Sequence, residues 1–505
     1  MNVARDYSPR SDGSVVFLFG ASLIVATLAL TNQSLWIDEA NSALKAMQPS
    51  LDSWWRVFVA KKGSDLQMPF YMFYLWAWEK IAGHSEWALR SANVPWFLLA
   101  NYVLFRACRR NEVNPIRLLT LALLNPFLWF YLNEARPYVM QYGAACVLCA
   151  VLLEAAQEPA RSTKPISLWI LAFGLLVLCG SSLLGVIWAA FAGAAWLYLI
   201  RDRLWSLRQR SNLFPIAIAF SCLAALGGYY LWTLRVGGRA SDIGRTGLPN
   251  LAFVFYELVG AAGLGPGRLE IRQRDLAAFC RFGAILIPLV LGLLLFLALL
   301  AAALTCAWRN RSRPAIIAGC IYAIPPIVLL FALGYLQDFR ILGRHFTPLL
   351  PVILGLFTFG ISQMRPRRLA AILFAALTAT WLASSLSFRF GERHRKDDYR
   401  TATSIAKTAL AQREIVWWSA DDAAAVYYGL PIGKSAEREA NFAVSPVSPE
   451  LLQSAVPDLV VASKPDIFDP AGQLGHFLRE HRFVPVRELP AFTIWRRPGA
   501  PSRLP

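Results

Sequence analysis

Apolar runs of about 18 residues or more recur along most of this 505-residue chain, the length a helix needs to cross the hydrocarbon core of a bilayer. They fall at about 14–32, 86–105, 116–132, 138–155, 166–182, 183–200, 212–233, 279–307, 315–334, 346–363 and 368–388. With 56% apolar residues the chain is not an ordinary soluble enzyme. Its net charge of +18 would suggest nucleic acid in a soluble protein. Here topology accounts for it, because basic clusters mark the cytoplasmic ends of membrane spans.

Those clusters are Arg106, Arg109, Arg110 and Arg117; Arg161 and Lys164; Arg201, Arg203, Arg208 and Arg210; Arg309, Arg311 and Arg313; and Arg365, Arg367 and Arg368. They lie between alternate runs, so every second loop is expected to be cytoplasmic. The expectation is a polytopic α-helical membrane protein of about 11 spans, with its N-terminus inside and its C-terminus outside. Two arginines precede the first run without a small-residue cleavage site, which reads as an uncleaved span. Parity makes the aromatic stretch 67–83 an interfacial or re-entrant helix rather than a crossing. The eight cysteines lie mostly in or beside apolar runs and read as packing residues, not as a disulfide framework or zinc site.

Residues 1–388 therefore read as a transmembrane domain and 389–505 as a small extracytoplasmic α/β domain. In the latter, helices are expected at "DDYRTATSIAKTAL", "DAAAVYYG" and near 471–481, and strands at "REIVWWSA", "PDLVVAS", "HRFVPVREL" and "AFTIWRR". Two outer loops stand out. The first, 33–85, carries the adjacent acids Asp38 and Glu39. The second, 234–278, carries Arg235, Arg239, Arg245, Arg268, Arg272 and Arg274, on the side where the charge rule does not expect cations. Two readings stand for these: a long loop escapes the rule and its arginines are solvated, or an anionic partner binds there.

Three more stretches fall at outer span ends. "NEARPY" brings Glu134, Arg136 and Tyr138; "LQDFRILGRHFTPLLP" brings Asp338, Arg340, Arg344 and His345; "HSEWALR" brings Glu86 and Arg90. Acids and arginines at one depth on one side can line one cavity. Each also has a plainer reading. Asp38 caps the helix that follows it, Glu134 pairs with Arg136, Arg90 and Arg106 snorkel, His345 is structural, and the tryptophans of the first loop form an interfacial belt.

An outer first-loop "DE" after the first span, then "PFYMFYLW", "SEWALR", "EARPY" and later "GRHFTPLLP" resembles bacterial family 39-type glycosyltransferases. These have the GT-C fold, the membrane superfamily of protein mannosyltransferases and lipid A aminoarabinose transferases. The resemblance is densest over about 30–140 and returns more loosely in the terminal domain. It implies an inner-membrane enzyme with its site facing the periplasm, moving a monosaccharide from a polyprenyl-phosphate carrier to a hydroxyl of a glycolipid, glycan or protein. It implies Asp38 as general base, with Glu39 either positioning acceptor or phosphate or simply joining the first helical turn. It implies Arg344 first and Arg136 second as guanidinium ligands of the donor phosphate, with Glu134, Tyr138 and His345 beside them.

Two departures from the family pattern are visible. Met68-Pro69 stands where a double proline is usual, and Arg344-His345-x-x-Pro348 replaces Arg-Tyr-x-x-Pro, which bears on carrier recognition. A divalent cation, bound by some relatives, has no support in ligand spacing, since none of the five histidines is paired. A bilayer and a lipid-linked donor are the expected partners, and nucleic acid is not. Two rivals remain. A lipid-linked sugar flippase would need ionisable residues deep within the spans, whereas here the charges gather at their ends. A polysaccharide polymerase or ligase would draw its support from the 234–278 arginines.

Overall fold

A computed structural model describes residues 12–61, 63–110, 114–236, 246–274, 277–280, 283–309, 313–337, 339–434 and 441–499. The chain is mostly helical with one small sheet. Among the described residues five helices are long and apolar enough to cross a membrane: Tyr138–Gln157, Arg210–Val236, Arg313–Leu336, Gly343–Gln363 (its first turns 3-10) and Arg367–Phe390. The pair Pro115–Leu124 and Pro126–Leu132 makes a sixth if it counts as one span. Shorter apolar helices occupy Ser14–Ala29, Pro165–Ser181, Gly185–Leu199 and Val290–Thr305.

Two runs expected to be continuous are broken. The run at 116–132 bends by 54° at "NP". Pro126 has no N–H to donate and pushes Asn125 out of helical geometry, to ψ 117°. The Asn125 side chain then accepts from the Leu128 N–H at 3.1 Å and starts the second helix. The run at 86–105 begins as a short helix, Glu86–Arg90, passes through a 3-10 turn at Ser91–Asn93, and continues as Val94–Arg110. Arg90 is fully buried rather than snorkelling.

The chain divides into two compact units. One comprises residues 1–30, 55–78 and 90–394; the other comprises 31–54, 79–89 and 395–505. The second unit thus joins most of the first loop to the terminal segment. Its sheet contains β1 (Val416–Ser419), β2 (Ile432–Gly433), β3 (Ala443–Val444), β4 (Leu459–Ser463), β5 (Val484–Leu489) and β6 (Phe492–Arg496), in the order β2-β3-β1-β4-β6-β5. The first four strands run parallel, and β6 turns antiparallel to β4 and β5.

Every residue of β1, "VWWS", is buried, as expected for a strand covered on both faces. Strand alternation sends its two tryptophans to opposite sides. Trp417 meets Phe477 of helix Gln473–Glu480 with ring centroids 5.2 Å apart. Trp418 faces Tyr399 of helix Tyr399–Ala411 and Phe492 at 6.3 and 6.0 Å.

Beside the sheet, Arg496 Nη2 grips both Glu414 oxygens at 3.0 and 2.7 Å, and both side chains are 4% exposed. Removing one partner of such a pair strands a buried charge. Glu414→Gln is expected to destabilise this unit by about 3 kcal/mol, read from the thermal shift of tryptophan fluorescence in detergent. An unchanged transition would contradict the assignment.

Candidate functional site

In the first unit, charged groups gather where helix Tyr138–Gln157 begins. Asn93, fully buried, shapes the turn before it. Its amide nitrogen donates to the carbonyls of Tyr131, Leu132 and Glu134 at 3.3, 3.1 and 2.6 Å. The turn presents Glu134 and Arg136, both almost wholly buried. Each has a partner elsewhere in the unit. Arg136 Nη1 donates to Asp65 Oδ1 at 2.6 Å, with both side chains 4% exposed, while Glu134 lies 3.6 Å from Arg268.

Arg268 is the centre of this group. Its Nη2 donates to Glu257 at 2.5 Å and to the Tyr131 hydroxyl at 2.6 Å, and its guanidinium lies 3.9 Å over the Phe130 ring. Burial works against its charge, but Glu257, Tyr131 and Glu134 outweigh it and hold the proton more tightly than usual. Of the loop arginines, this one is a third exposed and already has its anions within the chain. Arg239, Arg245 and Asp338 lie outside the described residues.

Glu257 carries the connection onward. Its second oxygen accepts from the Gly343 N–H at 3.0 Å. A Cβ at Gly343 would stand 2.2 Å from that oxygen, so only glycine lets the carboxylate approach the backbone there. The adjacent Arg344 lies 5.7 Å over the Tyr138 ring, and Tyr138 packs edge-on against Tyr131 at 4.8 Å. Tyr131 is within electrostatic reach of Arg268, Glu257, Glu134 and Arg344. His345 has a structural position: its Nδ1 accepts from the Leu342 N–H at 3.1 Å, closing the first 3-10 turn, and its carbonyl accepts from Trp188 at 3.0 Å.

The first unit therefore brings together Glu134, Tyr138 and Arg344, with Arg136 on the same turn as Glu134, and adds Asp65, Tyr131, Glu257 and Arg268. Glu257 had a signal in the sequence. A lone carboxylate in an apolar helix, "LPNLAFVFYEL", demands a cation. Asp65, in a polar loop, had none.

The second unit holds Asp38 and Glu39. Helix Ile37–Ala46 is capped at Trp36, not at Asp38. Glu39 does the reaching back, its carboxylate 3.5 Å from the Trp36 N–H. Fully buried, Glu39 also accepts from Lys396 Nζ at 2.9 Å. Asp38, one position earlier, is only half-buried. Asp421 caps the neighbouring helix Asp422–Tyr427 by accepting from Ala424 N–H at 2.9 Å. Burial raises the Asp421 carboxyl above its usual range, the Ala424 N–H and Asn41 amide oppose this, and the charges of Asp422 and Asp38 add to it.

Glu86 accepts from Arg400 and from the Tyr428 hydroxyl, and that hydroxyl accepts from the Leu35 N–H at 2.8 Å. Glu39 and Glu86 are thus satisfied by cations and a phenol of the terminal segment. The basic run "RHRKDDYR" was the available signal. Among the described residues no three His, Cys, Asp or Glu side chains converge.

His394 anchors the loop that leads to Arg268. Its Nε2 donates to the Gly263 carbonyl at 2.9 Å. Burial lowers it to about 4 from 6.5, the Gly263 bond opposes this, and Arg393, Glu270 and Arg268 contribute in both directions. Between those values the unfolded chain binds the extra proton, so this contribution is complete above about 6.5 and is lost as pH falls towards 4. His394→Gln should flatten the melting temperature over the upper part of that window; an unaltered pH dependence would rule His394 out as its source.

No protein-family model matches the sequence, and no curated protein matches it. Among solved structures the chain is similar to ArnT from Cupriavidus metallidurans. With the apo crystal structure the TM-score is 0.58 at 15% identity, covering 96% of this chain and 97% of that one. With the crystal structure bound to undecaprenyl phosphate it is 0.53 at 14% identity, covering 96% and 98%. The likeness extends over nearly both whole chains, and at that identity it establishes the fold, which is of the GT-C type.

Proposed function

We propose that this protein is an inverting glycosyltransferase that takes a monosaccharide from a polyprenyl-phosphate carrier and gives it to a hydroxyl acceptor at the outer face of a bacterial inner membrane. One observation carries the reading most. A fold shared end to end with a protein crystallised with undecaprenyl phosphate has a buried arginine, tyrosine and carboxylate cluster at the start of a helix of about 30 Å, the thickness of a bilayer core.

The reading includes eleven crossings with the N-terminus inside, a transmembrane domain over 1–388 and an extracytoplasmic one over 389–505. A lipid, glycan or protein serves as acceptor. The sugar is a hexose or a pentose.

Asp38 accepts the proton of the acceptor hydroxyl as its oxygen forms a bond to the anomeric carbon. The bond from that carbon to the carrier phosphate breaks, and its electron pair stays on the phosphate. Base and leaving group lie on opposite faces of the sugar ring, which gives inversion. A phosphate leaves without a strong general acid but needs cations to receive its charge, a role suited to the planar guanidinium. Arg344 is the first choice, with Tyr138 beneath it. Arg136 is committed to Asp65 and holds the turn. Glu39, bound to Lys396, fixes the helix start that carries Asp38.

Transfer from a radiolabelled polyprenyl-phosphate sugar by the purified protein in liposomes tests this. Asp38→Asn should lower kcat by about 10²–10⁴-fold with little change in donor KM, whereas Glu39→Gln should lose stability before it loses chemistry. Equal activity of Asp38→Asn and wild type would overturn the role of Asp38. Donor lipid crossing the bilayer without transfer would replace the transferase with a flippase.

A further inference from the structure

At the far end of helix Tyr138–Gln157 the chain turns through 158–164 into helix Pro165–Ser181. A cavity of about 610 Å³ opens there, lined by Glu158, Arg161, Lys164, Ile166 and Arg203 among others. It is separate from the arginine cluster by the helix length, about 30 Å. Its charge is unbalanced. Arg161 donates to Glu154 at 2.7 Å and Arg110 lies 3.7 Å from the same carboxylate, with Glu158 at 3.9 Å from Arg161. Lys164 and Arg203 add two exposed cations, and among the described residues no hydrogen bond or ion pair engages their side chains. Of the lining side chains three are cations, Arg161, Lys164 and Arg203, and one, Glu158, is a carboxylate.

The rim is apolar and open. Of the lining, Ile166 is 65% exposed; outside it, Trp205, in the same 3-10 helix as Arg203, is 74% exposed with Arg208 stacked 3.9 Å over its ring. Exposed Phe214 meets Trp169 edge-on at 5.9 Å, extending the apolar surface along helices Pro165–Ser181 and Arg210–Val236. The positive-inside rule explains cations at this level; it does not explain a cavity that collects them beside an apolar wall. A soluble anion would be held by the cations alone. An anion attached to acyl chains would use both surfaces.

We propose that this cavity is a headgroup site for an anionic phospholipid, its phosphate held by Lys164 and Arg203 and its chains lying along Ile166, Trp169 and Phe214. The assignment is independent of the transferase reading and needs no activity to test. Native mass spectrometry of the detergent-solubilised protein, titrated with equal phosphatidylglycerol and phosphatidylcholine, counts retained lipids. Wild type should retain phosphatidylglycerol preferentially. One cation near the surface changes such affinity about fivefold, so K164Q and R203Q should each lose that much and the double variant roughly 25-fold.

The singles decide the matter if the double variant does not fold. R365Q/R367Q, two cations of a different loop, should behave as wild type. Equal retention of both lipids by wild type would overturn the site, as would undiminished phosphatidylglycerol in the variants or an equal loss in R365Q/R367Q. Displacement of the lipid by millimolar inorganic phosphate would make the ligand a soluble anion and overturn the lipid assignment.

Discussion

Glu257 is the carboxylate on which the arrangement of the first unit turns. One oxygen receives Arg268 and the other receives the backbone of Gly343. It therefore ties the segment carrying Arg268 to the segment carrying Arg344, through a glycine with no Cβ to obstruct it. A carboxylate this buried costs several kcal/mol unless it is paired and hydrogen-bonded. The guanidinium and the N–H provide both, and the cost of leaving either unmade keeps the two segments in register. Tyr131 and Glu134 then share Arg268, so the turn before helix Tyr138–Gln157 is set by the same cation.

The second unit follows the same rule. Glu39 lies in the first loop and Glu86 at the start of the run that follows it, yet their partners are Lys396, Arg400 and Tyr428 of the terminal segment. Residues 31–54 and 79–89 and the terminal segment are therefore one folded object, and the helix bearing Asp38 is fixed by a residue more than 350 positions away. This gives the terminal segment a physical role in supporting the first loop. Asp38 differs from its neighbour in being half-buried, which leaves it the better candidate for meeting an acceptor.

Much of the fold was legible because it depends on local patterns. Apolar length marked the helices, and short runs rich in β-branched and aromatic residues marked β1, β4, β5 and β6. Asn125-Pro126 was legible in principle, since the break follows from proline's missing donor, but the apolar count ran across it. The two-residue strands β2 and β3 are too short to carry a pattern. Within the site, the outer-end stretches singled out Glu134, Tyr138 and Arg344, which the structure gathers. Partner choice was not legible. Asp65 and Arg136 are 71 residues apart, and Glu257 and Gly343 are 86 apart. Adjacency in sequence favoured Glu134 with Arg136, and Asp38 as a helix cap. The helix start went to a local competitor, Trp36 with Glu39 reaching back to its N–H, while Arg136 and Glu134 found Asp65 and Arg268 through the tertiary fold.

Recognition of a polyprenyl phosphate by Arg344 is the claim on which the functional account rests. Native mass spectrometry of the protein in nanodiscs supplied with undecaprenyl phosphate measures it directly. The account predicts a bound undecaprenyl phosphate in wild type, kept in Asp38→Asn and lost in Arg344→Ala. Only ordinary phospholipid on all three proteins, or equal retention of the carrier by Arg344→Ala, would contradict it.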